Sequence, residues 1–466
     1  MERDLSVILR VARTIKNALV PVNKLPPEIL PIVIGHRTCE RDLVIATHVC
    51  QRWRSTLVSS PSLWTCFRIT SDHNHDVNRT LTYLERSKLA PIDIRVKIDT
   101  PRSLDAFRHL APHIAKTRTL DIVGHHTKVR EAPLLLCAPS PILQHLEFCI
   151  YGGPMRLPDD FLGQHVPLLR SLTLYGIHPG FESLFPLPSL VEFNLFLPNG
   201  PGPFLIVIFF RHLSYCPWLR KIRIKFEDTP QDIALDQVIS LESLVELDYT
   251  CNRVGQTLPR LRLPRLTQLS VSTYGLGQVQ RLTDLLSHDG RALLAGVTEM
   301  IHHSDKSSQT VQLYGNGVDV SFIVILHTED HSHVNRFFSG MGIPFGEIEK
   351  LTVEGSDATD FPISFPIFKK LKVLTINPRR FTGGPFLRSL YPSLWTRTPC
   401  QTLQEMIWRT CPGSIGPPVS LVRERKRAGH PLGLVRLLTT HKPDQSFMDS
   451  VEELERHVGE VRIGWV

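Results

Sequence analysis

The sequence predicts an α/β protein in which a small α-helical N-terminal module precedes an irregular repeat solenoid with a curved parallel sheet. Two observations lead to this prediction. Residues 23–70 combine helix-start, helix and turn signals in a length too short for a confident core of its own. From residue 90 onward, an apolar pattern recurs at intervals close to those of solenoid repeats. The chain has 466 residues, 42% of them hydrophobic, so several domains or one long solenoid are expected.

Residues 1–22 are predicted to form an amphipathic helix, because apolar side chains recur there at helical spacing. These side chains are Leu5, Ile8, Leu9, Ala12, Ile15 and Leu19. A mitochondrial presequence is the alternative, since Arg10, Arg13 and Lys16 lie in the same segment. The acidic residues ahead of them argue against a presequence, and a signal-peptide pattern is not found there.

The first helix of the N-terminal module is predicted to start at two prolines. Pro26 and Pro27 fix φ at positions where a helix loses nothing by lacking an N–H, and Glu28 favours the positive end of the helix. Apolar residues then follow on one side, namely Ile29, Leu30 and Val33.

A second helix is predicted to open at Arg41-Asp42 and to run through the tryptophan that Arg52 and Arg54 flank. Its apolar stripe recurs at spacings of three or four, with the members Leu43, Ala46, Val49, Cys50 and Trp53. Ser59-Ser60-Pro61 then predicts a turn, after which Leu63-Trp64 can pack back on the helix pair.

These segments resemble the F-box in order and spacing: LPPEIL at 25–30, VCQRWR at 49–54 and SPSLW at 60–64. The resemblance implies a helical hook, residues 23–70, that binds the small acidic adaptor subunit of cullin-RING ubiquitin ligases. By the matching motif positions, the implied adaptor contacts are Leu25, Pro26, Ile29, Leu30, Val49, Cys50, Trp53 and Trp64. Aliphatic and aromatic anchors are what a helix-in-groove contact needs.

The alternative is that these apolar residues form an internal helical bundle packed on the following domain. The protein would then be a leucine-rich binding scaffold without a role in ubiquitin ligation, and its N-terminal helices would act only as a cap. A cap should expose little apolar surface.

The apolar pattern LxxLxL recurs through residues 90–415. Its first six copies begin 26, 21, 29, 25 and 22 residues apart, close to the leucine-rich-repeat period. They are followed by a gap and three further copies, and the nine copies begin at Leu143, Leu169, Leu190, Leu219, Leu244, Leu266, Ile348, Leu371 and Leu403. Each alternating end predicts a short strand, and stacked neighbours can share one core. A buried Asn or Cys after the last anchor is clear only at Asn252 and Cys411, so the predicted solenoid is irregular.

Residues 275–345 interrupt the repeat, either as degenerate repeats or as an antiparallel insertion. Val311–Tyr314 and Val318–Leu326 read as strands around a Gly315-Asn316-Gly317 turn, and the leucines from Leu282 to Leu294 suit a helix. Residues 416–466 are predicted to form a capping unit of helix, strand, helix and strand.

The whole arrangement is similar to the fungal F-box proteins that carry repeat-type substrate domains. It implies a non-catalytic subunit that holds the ligase adaptor, and through it the cullin, while the repeat surface holds an unknown substrate protein. That function is recruitment, which raises the local concentration of the substrate.

Charge and cysteine usage limit the partners. Residues 1–70 carry 10 Lys+Arg and 5 Asp+Glu, which is +5 of the net charge of +8. This basic charge suits an acidic protein partner. The aromatic residues that alternate with basic ones in an RNA-binding sheet are not found there. Nine scattered cysteines without a CxxC pair favour reduced thiols and a cytoplasmic or nuclear location. The longest apolar run, Phe204–Phe210, is far short of a membrane span, so neither a membrane nor a nucleic-acid partner is expected.

The sequence gives little indication of catalysis, a cofactor or a metal. Phosphate-loop, nucleophile-elbow and zinc-protease motifs are not found, and a hydrolase hidden in 275–345 would need convergent ionisable groups. The histidines of HTEDHSH, His327, His331 and His333, are better explained as a solvated loop than as metal ligands. The basic run from Arg423 to Arg427 suits either a nuclear-import patch or, preferably, an exposed helix face.

Overall fold

The structure is a computed structural model that divides into two compact units, Met1–Ser189 and Leu190–Val466. It describes residues 2–35, 40–70, 76–153, 155–178, 187–198, 209–226, 238–251, 261–273, 294, 296–304, 308–315, 318–325, 344–355, 365–378, 390, 399–410, 418–440 and 442–465. Both units combine helices with parallel strands, so the fold is the predicted mixed α/β type.

The first unit begins with helices. They are α1 Glu2–Leu19, α2 Ile29–Gly35, α3 Glu40–Ala46, α4 Gln51–Val58, α5 Asp76–Ser87, α6 Pro101–Leu110 and α7 His126–Val129. Short 3-10 helices lie between them at Pro21–Lys24, Pro61–Trp64 and Ala111–Lys116, and two more follow α7 at Pro133–Leu135 and Phe161–Gln164. The start of α6 is fixed by a capping box in which Thr100 and Ser103 each accept from the backbone N–H of the other.

Parallel strands form the sheet of the first unit. They are β1 Cys66–Ile69, β2 Ile92–Ile98, β3 Thr117–His125, β4 His145–Tyr151 and β6 Ser171–Tyr175, each paired with the next in this order. The short strands β5 Met155–Arg156 and β7 Ile177–His178 form a separate parallel pair. Alternate side chains of β2 and β3 are buried, so one face of the sheet lies on the core and the other is open.

The second unit contains a larger, mostly parallel sheet. Its strands up to the insertion are β8 Glu192–Leu197, β9 Lys221–Phe226, β11 Glu246–Cys251 and β13 Gln268–Thr273, paired in that order. Beyond the insertion follow β17 Lys350–Gly355, β18 Val373–Pro378, β19 Glu405–Thr410, β20 Leu434–Thr439 and β21 Glu460–Trp465. Two further short strands, β10 Ile239–Ser240 and β12 Leu261–Arg262, pair with each other.

Three strands bridge the two parallel halves of this sheet. They are β14 Glu299–Ser304, β15 Ser308–Gly315 and β16 Val318–Ile325, and β15 pairs antiparallel with both of its neighbours. Strand β16 pairs with β13, and β14 pairs with β17, both in parallel. The region 275–345 therefore contains an antiparallel hairpin, as the glycine turn predicts. The helix predicted around Leu282 to Leu294 falls outside the described residues, except for Leu294. His327, His331 and His333 also lie outside them.

The repeated apolar pattern corresponds to parallel strands in both units. In each copy the first leucine or isoleucine precedes the strand, the next two anchors lie on it, and all are buried, as Leu169, Leu172 and Leu174 are around β6. Burial of such side chains is worth about 1.5–3 kcal/mol each. Asn252 and Cys411, the two residues of the asparagine position, lie outside the described residues.

The division of the chain differs from the predicted boundaries. The sequence predicts a module at 23–70 and a separate solenoid at 90–415. Strand β1 at the end of the module nevertheless pairs with β2, which lies in the predicted solenoid. The two compact units divide between Ser189 and Leu190. In the described part of the chain, the helices are all too short or too polar to cross a membrane.

The C-terminal residues form α8 Val419–Arg427, β20, α9 Gln445–Glu455 and β21, the predicted order of elements. The preferred prediction of an exposed basic face on α8 is wrong for Arg425, which is fully buried. Its guanidinium donates to the carbonyl oxygens of Pro399 and Cys400 at 2.8 and 2.9 Å, where Cys400 has a φ of 49°. Burial lowers the pKa of Arg425 and raises that of the Cys400 thiol to about 12.

We expect Arg425→Met to lower the free energy of unfolding of the second unit by about 2 kcal/mol, because it removes two buried hydrogen bonds from a charged donor, to the carbonyl oxygens of Pro399 and Cys400. The matched control is Arg427→Met, since Arg427 lies on the same helix with its side chain exposed. It should change stability by less than about 0.5 kcal/mol. Urea unfolding followed by tryptophan fluorescence measures both, and equal effects would contradict the assigned role of Arg425.

Candidate functional site

Three short helices, α2, α3 and α4, form the N-terminal module. The backbone N–H groups of Ile29 and Leu30 donate to the carbonyl oxygen of Pro26, at 3.0 and 3.3 Å. The prolines therefore lie just ahead of α2, which begins at Ile29 and not at Pro26. This placement agrees with the preference of proline for the entry to a helix.

The second predicted helix is in fact two helices, so the sequence prediction is wrong at this point. Helix α3 ends at Ala46, the hydroxyl of Thr47 donates to the carbonyl oxygen of Val44 at 2.7 Å, and Cys50 is extended with φ −157° and ψ 169°. A residue in that conformation begins a new helix as its N-cap. The apolar residues keep their helical spacing across the break, which is why the sequence predicts one continuous helix.

The inner faces of the three helices share a small core. Leu30 of α2, Ala46 of α3 and Leu57 of α4 are buried together, and Ile34, Trp53 and Leu63 pack against them partly exposed. All of these residues belong to the segment 23–70. The module therefore has a core of its own, although a small one.

The outer faces of α2 and α3 and the turn after α3 expose an aliphatic set. Its side chains are 40% to 66% exposed, and its members are Ile29, Ile32, Val33, Val44, Ile45 and Val49. We call them the outer aliphatic set. Ile29, Ile32 and Val33 follow the i, i+3, i+4 spacing and so share one face of α2, and the buried Leu30 lies to one side of that face. Aliphatic side chains grouped on exposed helix faces are typical of protein contact surfaces.

Hydrogen bonds from α4 hold the segment ahead of α2. The indole N–H of Trp53 donates to Oδ1 of Asn23 at 2.5 Å, and the guanidinium of Arg52 donates to the carbonyl oxygens of Asn23 and Leu25. The amide of the buried Asn23 in turn donates to the carbonyl oxygen of Asn17 in α1, at 2.6 Å. Sequence reasoning missed Asn23, because nothing in its sequence neighbourhood marks it as buried.

Trp64 joins the module to α5. It is fully buried, and its indole N–H donates to the carbonyl oxygen of Leu57 at 2.8 Å. Tyr83 meets its ring edge-on at 5.0 Å between centroids, and the Arg86 guanidinium lies 4.3 Å from the centroid. Such contacts are typical of an internal joint.

The predicted adaptor contacts thus divide by exposure. Pro26, Ile29 and Val49 are exposed; Leu25, Cys50 and Trp53 are partly exposed; Leu30 and Trp64 are buried. Leu30 and Trp64 lie behind the exposed surface in this structure. The role of the eight residues as adaptor contacts stays a prediction. Sequence reasoning missed Ile32, Val44 and Ile45 as surface residues, although their offset from the buried positions on each helix is the signal that could have found them.

A shallow groove of about 550 Å³ lies beside the outer aliphatic set. Pro27, Pro31 and Ile32 line one side together with Glu28, and the end of α4 with the following turn supplies serine and threonine hydroxyls on the other. The lining is as polar as it is apolar, which suits a side chain of a protein partner that can form hydrogen bonds. Groups of side chains suited to a metal ion are not found among the described residues.

Comparison with known proteins agrees with this geometry. Residues 22–70 match the family described as F-box-like, which confirms the predicted F-box-like module and supports an F-box protein. No curated protein matches the chain. F-box-like domains indicate in general an adaptor role in ubiquitin ligases.

We expect Trp53→Phe to lower the free energy of unfolding by about 1 kcal/mol, because it removes the N–H that satisfies the buried Oδ1 of Asn23. Trp218→Phe is the control, since Trp218 is exposed, and it should change stability by less than about 0.5 kcal/mol. Thermal unfolding measures both. If Asn23→Ala costs as much in the Trp53→Phe background as in the native chain, the two side chains are not coupled.

Proposed function

We propose that the protein is a non-catalytic substrate-recognition subunit of a cullin-RING ubiquitin ligase. Its F-box-like module binds the small adaptor subunit, and through it the cullin, in the cytoplasm or the nucleus. The observation that carries the proposal is the outer aliphatic set: α2 and α3 bury one face in their own core and leave the other to solvent. An internal cap would need no such second face.

The contact with the adaptor uses exposed side chains on neighbouring helices. Ile32 and Ile45 are among the most exposed members of the outer aliphatic set. Burying them in a partner groove removes apolar area from water, and the basic N-terminal 70 residues are matched to an acidic adaptor. Leu30 and Leu57 support this contact from the small core, because their packing fixes the angle between the helices.

The repeated strands are proposed to form an irregular leucine-rich solenoid of the kind found in fungal F-box proteins, with a substrate protein on its open face. Supporting this, the open face of the first sheet is polar and in register across three strands: Arg95 on β2 faces Asp121 on β3, which faces Glu147 on β4. Beyond them Tyr151 and Tyr175 lie 5.0 Å apart between ring centroids. Tyrosine and arginine are among the residues enriched in protein interfaces.

The direct test is capture of the purified ligase adaptor by the full-length chain. Ile32→Asp combined with Ile45→Asp should weaken capture roughly hundredfold, because each change places a charge in an apolar contact. Both side chains are exposed in the free protein, so the fold should be retained. Leu30→Asp is a poorer test, since it puts a charge into the small core and unfolds the module.

The matched control is Leu134→Asp, which changes an equally exposed leucine outside the module and should leave capture unchanged. Circular dichroism and thermal unfolding report that each variant is folded. No capture by the native chain, or capture that survives the double substitution, would contradict the adaptor proposal and favour the scaffold.

A further inference from the structure

Helix α1 presents an exposed apolar face that the F-box-like module does not cover. The side chains of Val7, Ile8, Val11, Ile15 and Leu19 are between 54% and 70% exposed. Successive helical residues turn by about 100°, which places these five within an arc of about 120°. That is wider than the two-position seam of a coiled coil.

Beyond Glu2 and Asp4 in its first turn, the charge of α1 and the segment after it has one sign. Between Leu5 and Pro27 the sequence contains Arg10, Arg13, Lys16 and Lys24 and not one aspartate or glutamate. Arg13 and Lys16 are exposed, outside the arc of the apolar face. Cationic side chains beside a wide aliphatic face are the features of a helix that lies in the plane of a lipid interface.

We infer that α1 binds an anionic phospholipid surface. Its apolar face enters the boundary between headgroups and acyl chains, and its cations lie at the level of the lipid phosphates and carboxylates. The helix is about 27 Å long when it lies flat. The charges within it favour lying on the surface over crossing it.

The C-terminal end of α1 is tied to the docking module. Asn23 donates to the carbonyl oxygen of Asn17 in α1 and accepts from the indole of Trp53 in α4. A helix held on a membrane would therefore hold the outer aliphatic set near the same surface. This inference does not depend on the adaptor proposal, and it departs from the expectation from sequence, in which a membrane was not among the partners.

The test is flotation of the full-length protein with vesicles of phosphatidylcholine alone and of phosphatidylcholine and phosphatidylserine in equal parts. The native chain should float with the mixed vesicles and remain behind with phosphatidylcholine alone. Raising the salt to about 1 M shortens the Debye length to about 3 Å and should weaken the binding. Arg13→Gln and Lys16→Gln should each weaken it roughly fivefold.

Ile8→Asp combined with Ile15→Asp should reduce binding at least about tenfold, because it places two charges in the apolar face. Leu89→Asp is the matched control: Leu89 is 93% exposed but lies after α5, so its substitution should leave flotation unchanged. Failure of the native chain to float with mixed vesicles would overturn the inference, and so would flotation that survives the double substitution.

Two further measurements identify other occupants of the same face. A native dimer that the double substitution dissociates, without lipid binding, would assign the face to a second copy and overturn the inference. Loss of adaptor capture in the double variant, again without lipid binding, would assign it to the adaptor. Flotation without adaptor capture by the native chain would leave the lipid inference standing and contradict only the proposed function.

Discussion

The two-faced packing of α2 and α3 is the constraint on which the rest of the N-terminal module depends. Each helix is seven residues long, so it can bury about one side chain per turn on its inner face and must place its other aliphatic residues outside. Leu30, Ala46 and Leu57 occupy the inside. The sequence nevertheless supplies six further aliphatic side chains to the outside, where each is at least 40% exposed in the free protein. The proposed adaptor would bury them.

Polar contacts then fix how this surface is presented. Trp53 and Arg52 hold the segment before α2 through Asn23, and Trp64 ties the end of the module to α5. Strand β1 continues the module into the sheet of the first unit by pairing with β2. The tryptophans that give the motif its appearance in the sequence therefore serve mainly as internal supports, and smaller aliphatic residues form the exposed face.

Much of this fold follows from patterns that the sequence displays directly. Apolar residues at period two predict the buried anchors of strands such as β6, and a glycine turn predicts the pairing of β15 with β16. The break between α3 and α4 could not be predicted, because the apolar spacing on either side of Cys50 remains helical while the backbone there is extended. The burial of Trp64 and Arg425 could not be predicted either. Large amphipathic side chains can face water or a core, and distant carbonyl or aromatic partners decide which.

The most direct test of the account is hydrogen–deuterium exchange of the full-length protein with and without the purified ligase adaptor. If the outer faces of α2 and α3 are the contact, the adaptor slows exchange of amides in residues 29–35 and 40–49. Exchange in β3, on the sheet of the same unit, stays unchanged. Unaltered exchange in both helices, or protection confined to the strands, would contradict the central claim that these helices keep an apolar face for another protein.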